Sequence, residues 1–186
     1  SLKDIDDIEW IGGNTYVVQL GDQIDRCRPT SWYRDICNDN DTYQDEGSDL
    51  KIMELLDALD TKAQYQGGRL ISILGNHEIM NFNGDVRYTT AATLAYFGGL
   101  DKRIEIFSRG GIVAQKIACM TNTVMRLGDW VFSHAGITPE VMEYYKSLEA
   151  MNDDVRDYIL DIIDIDDNAN ANSREYKLSR LIGHEG

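Results

Sequence analysis

Thr15-Tyr16-Val17-Val18-Gln19-Leu20 runs directly into Gly21-Asp22-Gln23-Ile24-Asp25-Arg26. The first six residues are rich in β-formers and follow the turn Gly12-Gly13-Asn14, which predicts a buried strand. The next six deliver two aspartates and an arginine at the strand's carboxyl end. The same pattern returns twice. Arg69-Leu70-Ile71-Ser72-Ile73-Leu74 is followed by Gly75-Asn76-His77-Glu78, and Trp130-Val131-Phe132-Ser133 by His134-Ala135-Gly136. In α/β sheets ligands bind at the carboxyl ends of strands, and the glycine in each packet lets backbone approach a ligand closely. The three packets are therefore expected to meet in one site.

Working outward, Ser48 is placed to cap a helix, with Asp49 favourable in its first turn. Ile52, Met53, Leu56, Leu59 and Ala63 share one face, and Gly67-Gly68 ends the helix. Residues 89–97 and 111–118 are predicted helices. So are 141–148 and 155–163, by period. Strands 123–127 and 130–133 flank Gly128-Asp129, which suits a two-residue hairpin turn. Strands and helices alternate, so the class is α/β, one layered domain over residues 1–186, with hairpins in its second half. Residues 28–49 carry Asp35, Asp39, Asp41, Asp45, Glu46 and Asp49 and are predicted to be a long acidic insertion, exposed to solvent.

The 186 residues include 32 acidic and 18 basic side chains, a net charge of −14. That balance excludes nucleic acid and anionic membrane as main partners, but not an anionic substrate held by metal ions. No run of 18 apolar residues exists, so no segment spans a membrane as a helix. Cys27, Cys37 and Cys119 cannot all pair and match no zinc spacing, which predicts a reducing, cytoplasmic compartment. The chain begins at Ser1 without a signal peptide and is expected to be a piece of a longer protein.

The chemistry of the three packets is coherent. Asp22, Asn76 and His134 offer hard oxygen and imidazole ligands suited to Mn, Fe or Zn. Arg26 presents a fork of donors matched to phosphate oxygens. His77 suits a general acid near neutral pH, and Asp25 is placed to hold its tautomer. Together they point to two-metal phosphoester hydrolysis. Taken singly, Gly21-Asp22 is an ordinary turn, Asp25-Arg26 a surface pair of little worth, and either histidine a structural one. The conjunction of the three carries the reading.

GDQIDR (21–26), GNHE (75–78) and HAG (134–136), in that order, resemble the calcineurin-like metallophosphoesterase superfamily. Within it they are similar to the phosphoprotein phosphatase branch, with motifs GDxxDRG, GNHE and HGG. Phe107-Ser108-Arg109-Gly110-Gly111 and the hairpin before HAG resemble the Shewanella-like phosphatases most. The resemblance covers about residues 10–139. It implies a four-layer α-β-β-α sandwich, here truncated at both ends, and two divalent metal ions. By the same resemblance Asp22 bridges both metals, while Asn76 and His134 bind the second. Arg26 and Asn76 contact phosphate. His77 protonates the leaving oxygen, oriented by Asp25, and Glu78 has a supporting role. The nucleophile is a metal-bridging hydroxide. The implied function is a phosphomonoesterase of the serine/threonine or tyrosine protein phosphatase type, acting on a phosphorylated protein or small phosphoester. The alternatives are a dinucleoside polyphosphate hydrolase of the same superfamily and a non-catalytic phosphatase-like binding protein.

Several features depart from the family pattern. Its DxH motif, which supplies first-metal ligands, is absent, so this piece is expected to be weakly active or inactive alone. Ile182-Gly183-His184 resembles the family's late GH motif, but Lys177 to Ile182 is not clearly a strand and Glu185 replaces the usual threonine. The true motif is expected beyond Gly186. Cys27 and Ala135 replace glycines of the first and third motifs, and Cys27 beside the site is a candidate for oxidation. Asp164, Asp166, Asn168 and Glu175 match EF-hand positions, but Ala169 stands where the loop needs glycine. An exposed loop is the expectation there.

Overall fold

The computed structural model describes residues 5–27, 37 and 45–182. Most of the 28–49 insertion and His184 therefore lie outside the described residues. The elements in chain order are β1 (Tyr16–Gln19), α1 (Asp49–Gln64), β2 (Arg69–Ser72), α2 (Asn76–Phe82), α3 (Ala91–Tyr96), α4 (Leu100–Phe107), α5 (Ile112–Met120), β3 (Val124–Leu127), β4 (Trp130–Ser133), α6 (Pro139–Tyr144), α7 (Leu148–Ile159) and α8 (Arg174–Ile182). The chain is mixed α/β, as the alternation of patterns predicts.

β1 and β2 are parallel, with Tyr16 beside Arg69 and Gln19 beside Ser72. A parallel pair needs a long crossover, and α1 lies within it. Asp60 of α1 locks that helix to β2. Its carboxylate accepts Arg69 Nε at 2.9 Å, Arg69 Nη2 at 3.0 Å and the Leu70 amide at 2.7 Å. β3 and β4 form an antiparallel hairpin across Gly128, whose φ of +60° suits the tight turn. A parallel bridge between Ile73 and Asn122 joins the two strand pairs. The Leu74 amide donates to Asn122 O at 2.8 Å there.

The main core packs Val113, Ala114, Ile117 and Ala118 of α5 against Val155, Tyr158 and Ile159 of α7, with Phe82, Phe107, Leu74 and Leu178 around them. Met151, Val155, Tyr158 and Ile159 follow the i, i+4, i+7, i+8 spacing of one helix face. Ile24, inside the first polar packet, is also buried in this core and pins the loop that carries Asp22 and Asp25. A second cluster gathers Val124, Val141, Tyr145 and Met151 under the hairpin.

Several sequence expectations need correction. β1 is not a buried strand: Tyr16, Val17 and Leu20 are 40–48 % exposed, because among the described residues it pairs with β2 alone. The helix expected over 141–148 is two helices. Ser147 turns out of helical geometry to cap α7, its hydroxyl accepting the Ala150 amide at 3.1 Å. α7 then ends at Ile159 rather than 163, and Asp161 has φ +62°. Ser48 precedes α1 as expected but makes no capping bond. Residues 174–182 form a helix, so no strand precedes the Ile182-Gly183-His184 sequence.

The described end of the acidic insertion is docked rather than solvated. Asp45 accepts hydroxyls from Thr90 at 2.6 Å and Thr93 at 2.9 Å. Cys27 and Cys37 are joined by a disulfide with Cα atoms 6.3 Å apart, and Cys119 is free and exposed. The three do not all pair, as expected, but the bridge removes the support that the cysteines gave to a reducing, cytoplasmic compartment. Among the described residues no helix is long and apolar enough to cross a membrane. In the EF-hand-like stretch Asp164 pairs with Arg109 at 2.7 Å and the neighbouring carboxylates are exposed, as expected of a surface loop.

Candidate functional site

The loop after β1 and the loop after β2 are in backbone contact. A Cβ added to Gly21, at φ +93°, would lie 2.5 Å from the Gly75 nitrogen. Only glycine permits that approach. Glu78 ties the two loops together from below. Its Oε2 accepts the amides of Gly75 at 2.7 Å and Asp22 at 3.0 Å, and its Oε1 accepts Gln23 at 2.7 Å. The side chain is 1 % exposed. Burial pushes its carboxyl above the ordinary range, against the three amides that favour the charged form. The supporting role read from GNHE thus has a geometry: Glu78 substitutes for backbone pairing where two strands end.

With the loops clamped, Asp22 and Asp25 both take left-handed backbone angles, φ +55° and +66°. Such angles are uncommon for residues other than glycine and concentrate at functional sites. They turn the two carboxylates to different tasks. Asp22 Oδ1 accepts the His77 amide at 3.2 Å at the start of α2. Its Oδ2 lies 3.4 Å from His134 Nε2 and 4.0 Å from His77 Nε2. Asn76 opens α2 and sets its Oδ1 3.1 Å from His134 Nε2. His134 reaches the site from the end of β4, and its Nδ1 donates to Leu20 O at 2.5 Å. That bond places a ring proton on Nδ1, and Nε2 faces Asp22 and Asn76.

Asp25 is buried beneath His77. Its Oδ2 lies 3.2 Å from His77 Nδ1, and its Oδ1 accepts the Thr89 hydroxyl at 2.8 Å. The His77 ring is held edge-on by Tyr88, centroids 4.7 Å apart. Arg26 is exposed, and its Nη1 pairs with Glu46 Oε2 at 2.8 Å. Thus Asp22, Asn76, His77 and His134 meet, with Asp25 behind His77. A cavity of about 140 Å³ opens beside them, lined by Gly75, Asn76, His134, Ile137 and Ile182.

The sequence reading passed over Asn81 and Arg103. Asn81 is 0 % exposed and donates to Asp25 Oδ2 at 2.7 Å. Arg103, also 0 % exposed, contacts Asn81 Oδ1 at 2.9 Å and Asp49 Oδ2 at 2.8 Å. Burial pulls the guanidinium below its ordinary value and pushes the Asp49 carboxyl up, each opposed by the partner's charge. A signal for both was present. Asn81 stands four residues after His77 on one helix face, and Arg103 four before Phe107, polar groups on apolar stripes.

Among the described residues no group of three or more His, Cys, Asp or Glu side chains is gathered for a metal. The convergent donors are one carboxylate, one imidazole and one amide oxygen.

No family model matches the chain. It is 31% identical over 192 residues to Shewanella-like protein phosphatase 2 of Arabidopsis thaliana, covering 81% of this chain and 44% of that protein. The chain is similar to the Shewanella-like phosphatases. It is also 30% identical over 127 residues to an uncharacterized protein of Acanthamoeba polyphaga mimivirus, covering 58% of this chain and 50% of that one. Among solved structures it matches a cold-active protein tyrosine phosphatase determined at 1.1 Å, with a TM-score of 0.61 and 21% identity over 81% of this chain and 39% of that chain. The cold-active protein-tyrosine phosphatase of a psychrophilic Shewanella species matches with a TM-score of 0.60 at 21% identity, over 81% of this chain and 40% of that one. The chain spans about half or less of the length of these relatives.

Proposed function

We propose that the chain is the part of a metal-dependent phosphoprotein phosphatase that holds the second metal, the phosphate and the proton donor, within a four-layer α-β-β-α sandwich completed by further chain. The observation that carries this reading is the convergence of one carboxylate, one amide and one imidazole at the strand ends. Asp22 Oδ2 lies 3.4 Å and Asn76 Oδ1 3.1 Å from Nε2 of His134, so a carboxylate, an amide oxygen and an imidazole nitrogen that can together hold a cation share one spot. The donor set fits a divalent ion of the Mn, Fe or Zn kind. It supplies three of the four to six ligands such an ion takes, so water, phosphate or further residues complete it. When bound, the metal pair supplies an activated water and neutralises the phosphate.

The chain's own residues do the rest. His77, with Nδ1 directed at Asp25, keeps Nε2 towards Asp22 and the site. A proton on Nε2 is the one to pass to the leaving oxygen. Arg26, released from Glu46, offers two parallel N–H groups to phosphate oxygens. Asn76 adds an amide N–H to the same phosphate. The similarity to protein phosphatases favours a phosphorylated protein as substrate.

The test is turnover of phosphopeptides and of a chromogenic phosphate ester by the full-length protein, with manganese and with chelator. Manganese-dependent release of phosphate supports the reading. Metal-independent turnover overturns the mechanism. Cleavage of dinucleoside polyphosphates without phosphopeptide turnover replaces the substrate class, and binding without turnover assigns a scaffold.

A further inference from the structure

We propose that Asn81, braced by Arg103, is a positioning residue that fixes the Asp25–His77 pair for proton delivery; this rests on the phosphatase reading above. Asn81 Nδ2 donates twice, to Asp25 Oδ2 at 2.7 Å and to the backbone oxygen of His77 at 3.0 Å. One amide thereby grips both the carboxylate and the backbone of the ring that the carboxylate orients. Its other end is fixed too. Asn81 Oδ1 accepts Arg103 Nε at 3.2 Å and Nη2 at 2.9 Å. A flipped amide would set N–H against guanidinium and oxygen against carboxylate, so Arg103 determines which way Asn81 points.

Arg103 is itself held on several sides. Its guanidinium lies 3.6 Å from the Phe107 ring centroid and 4.7 Å from that of Phe97. Asp49, the first residue of α1, pairs with it at 2.8 Å. Its Nη2 also stands 3.7 Å from Asp25 Oδ1. The ring, the carboxylate, the amide and the guanidinium come from α2, the loop after β1 and α4, so the chain of contacts spans elements that no local backbone preference would align. A buried charge contributes little to stability that packed apolar groups would not. What an apolar pair cannot do is direct the Asp25 carboxylate at His77 Nδ1.

A proton donor matters in proportion to the basicity of the leaving oxygen. Phenyl phosphate needs the proton; 2,4-dinitrophenyl phosphate leaves without it. Turnover of both esters is measured in the full-length protein with manganese, for Asn81→Ala and Asn81→Asp. The second variant keeps the volume and the oxygen that Arg103 holds, and it decides the matter if alanine does not fold. The kcat ratio of phenyl to dinitrophenyl ester is expected to fall about tenfold or more, since general acid catalysis contributes roughly 10²–10⁴-fold. Equal losses on both esters, or an unchanged ratio, would assign Asn81 to packing alone and overturn the inference. If the unmodified protein turns over neither ester, the phosphatase reading falls and this inference with it.

Discussion

Glu78 Oε1 accepts the backbone N–H of Gln23 at 2.7 Å, across 55 residues of sequence. With the Asp22 and Gly75 amides on Oε2, one carboxylate takes three N–H groups from two loops that have run off their sheet. Glutamine at this position keeps one acceptor oxygen and turns an NH₂ group towards amide donors. Glu78→Gln is therefore expected to destabilise the protein by about 1–3 kcal/mol, the usual cost of orphaned buried donors. Because the loop carries Asp22, turnover should fall along with stability. Urea denaturation and kcat on a phosphate ester check both, and a variant unchanged in stability would show that the loops hold without this clamp.

Asp60 gives a pH signature at the other end of the sheet. Burial tends to raise its carboxyl, but hydrogen bonds from Arg69 and the Leu70 amide outweigh it and hold the group below its ordinary value of 3.8. A folded-state pKa below the unfolded one means stability that is complete above the unfolded value and is lost as pH falls through the folded one. Unmodified protein and Asp60→Asn should thus differ most near neutral pH. The difference should shrink as pH drops below about 4, the unfolded carboxylate range. Urea midpoints at pH 7 and pH 3 measure this; a gap that widens in acid would mean that Asp60 is not stabilised by its charge.

The polar packets were legible because each follows a β-run and ends in residues with few structural uses. Gly21 shows why spacing sufficed there: a residue that admits only glycine is written in the sequence. The same held for the hairpin around Gly128 and for the turn at Gly67, φ +77°, that follows α1. Burial was less legible. Tyr16 and Val17 carry the same β-forming side chains in an edge strand as in a central one, so pattern cannot tell which neighbour a strand has. The break between α6 and α7 depends on whether Ser147 caps or continues a helix, which packing decides. Arg103 was missed because its partners, Asn81 and Asp49, are 22 and 54 residues away. Cys27 and Cys37 were read by parity, and an odd count does not forbid one pair.

The Cys27–Cys37 bridge closes a short loop, the two residues being 10 apart. By the chain-entropy relation such a loop stabilises the folded state by about 2–3 kcal/mol at 25 °C. Reduction, or Cys27→Ser with Cys37→Ser, is expected to lower stability by about that amount. Cys119→Ser as the background removes the exposed thiol that could exchange with the bridge. Denaturation midpoints with and without reductant give the measurement. If they coincide, the bridge contributes nothing to folding.

Asn76→Ala separates the ligand role from the fold. Asn76 is exposed at the first position of α2, where its Oδ1 faces His134 and its Nδ2 makes only a 3.9 Å contact with Met80 Sδ among side chains. Alanine is the better helix former, and no buried group loses a partner, so stability should stay within about 0.5 kcal/mol. Catalysis should not survive as well. In the proposed reading the amide oxygen joins Asp22 and His134 in holding a metal ion, and the amide N–H contacts phosphate. Loss of one such group costs roughly 10²–10³-fold in kcat at comparable sites. Manganese titration of the full-length variant should also show weaker binding, because Asp22 and His134 alone remain of the convergent set. Full activity with unchanged metal affinity would remove Asn76 from the site and leave His134 Nε2 facing Asp22 for some other reason.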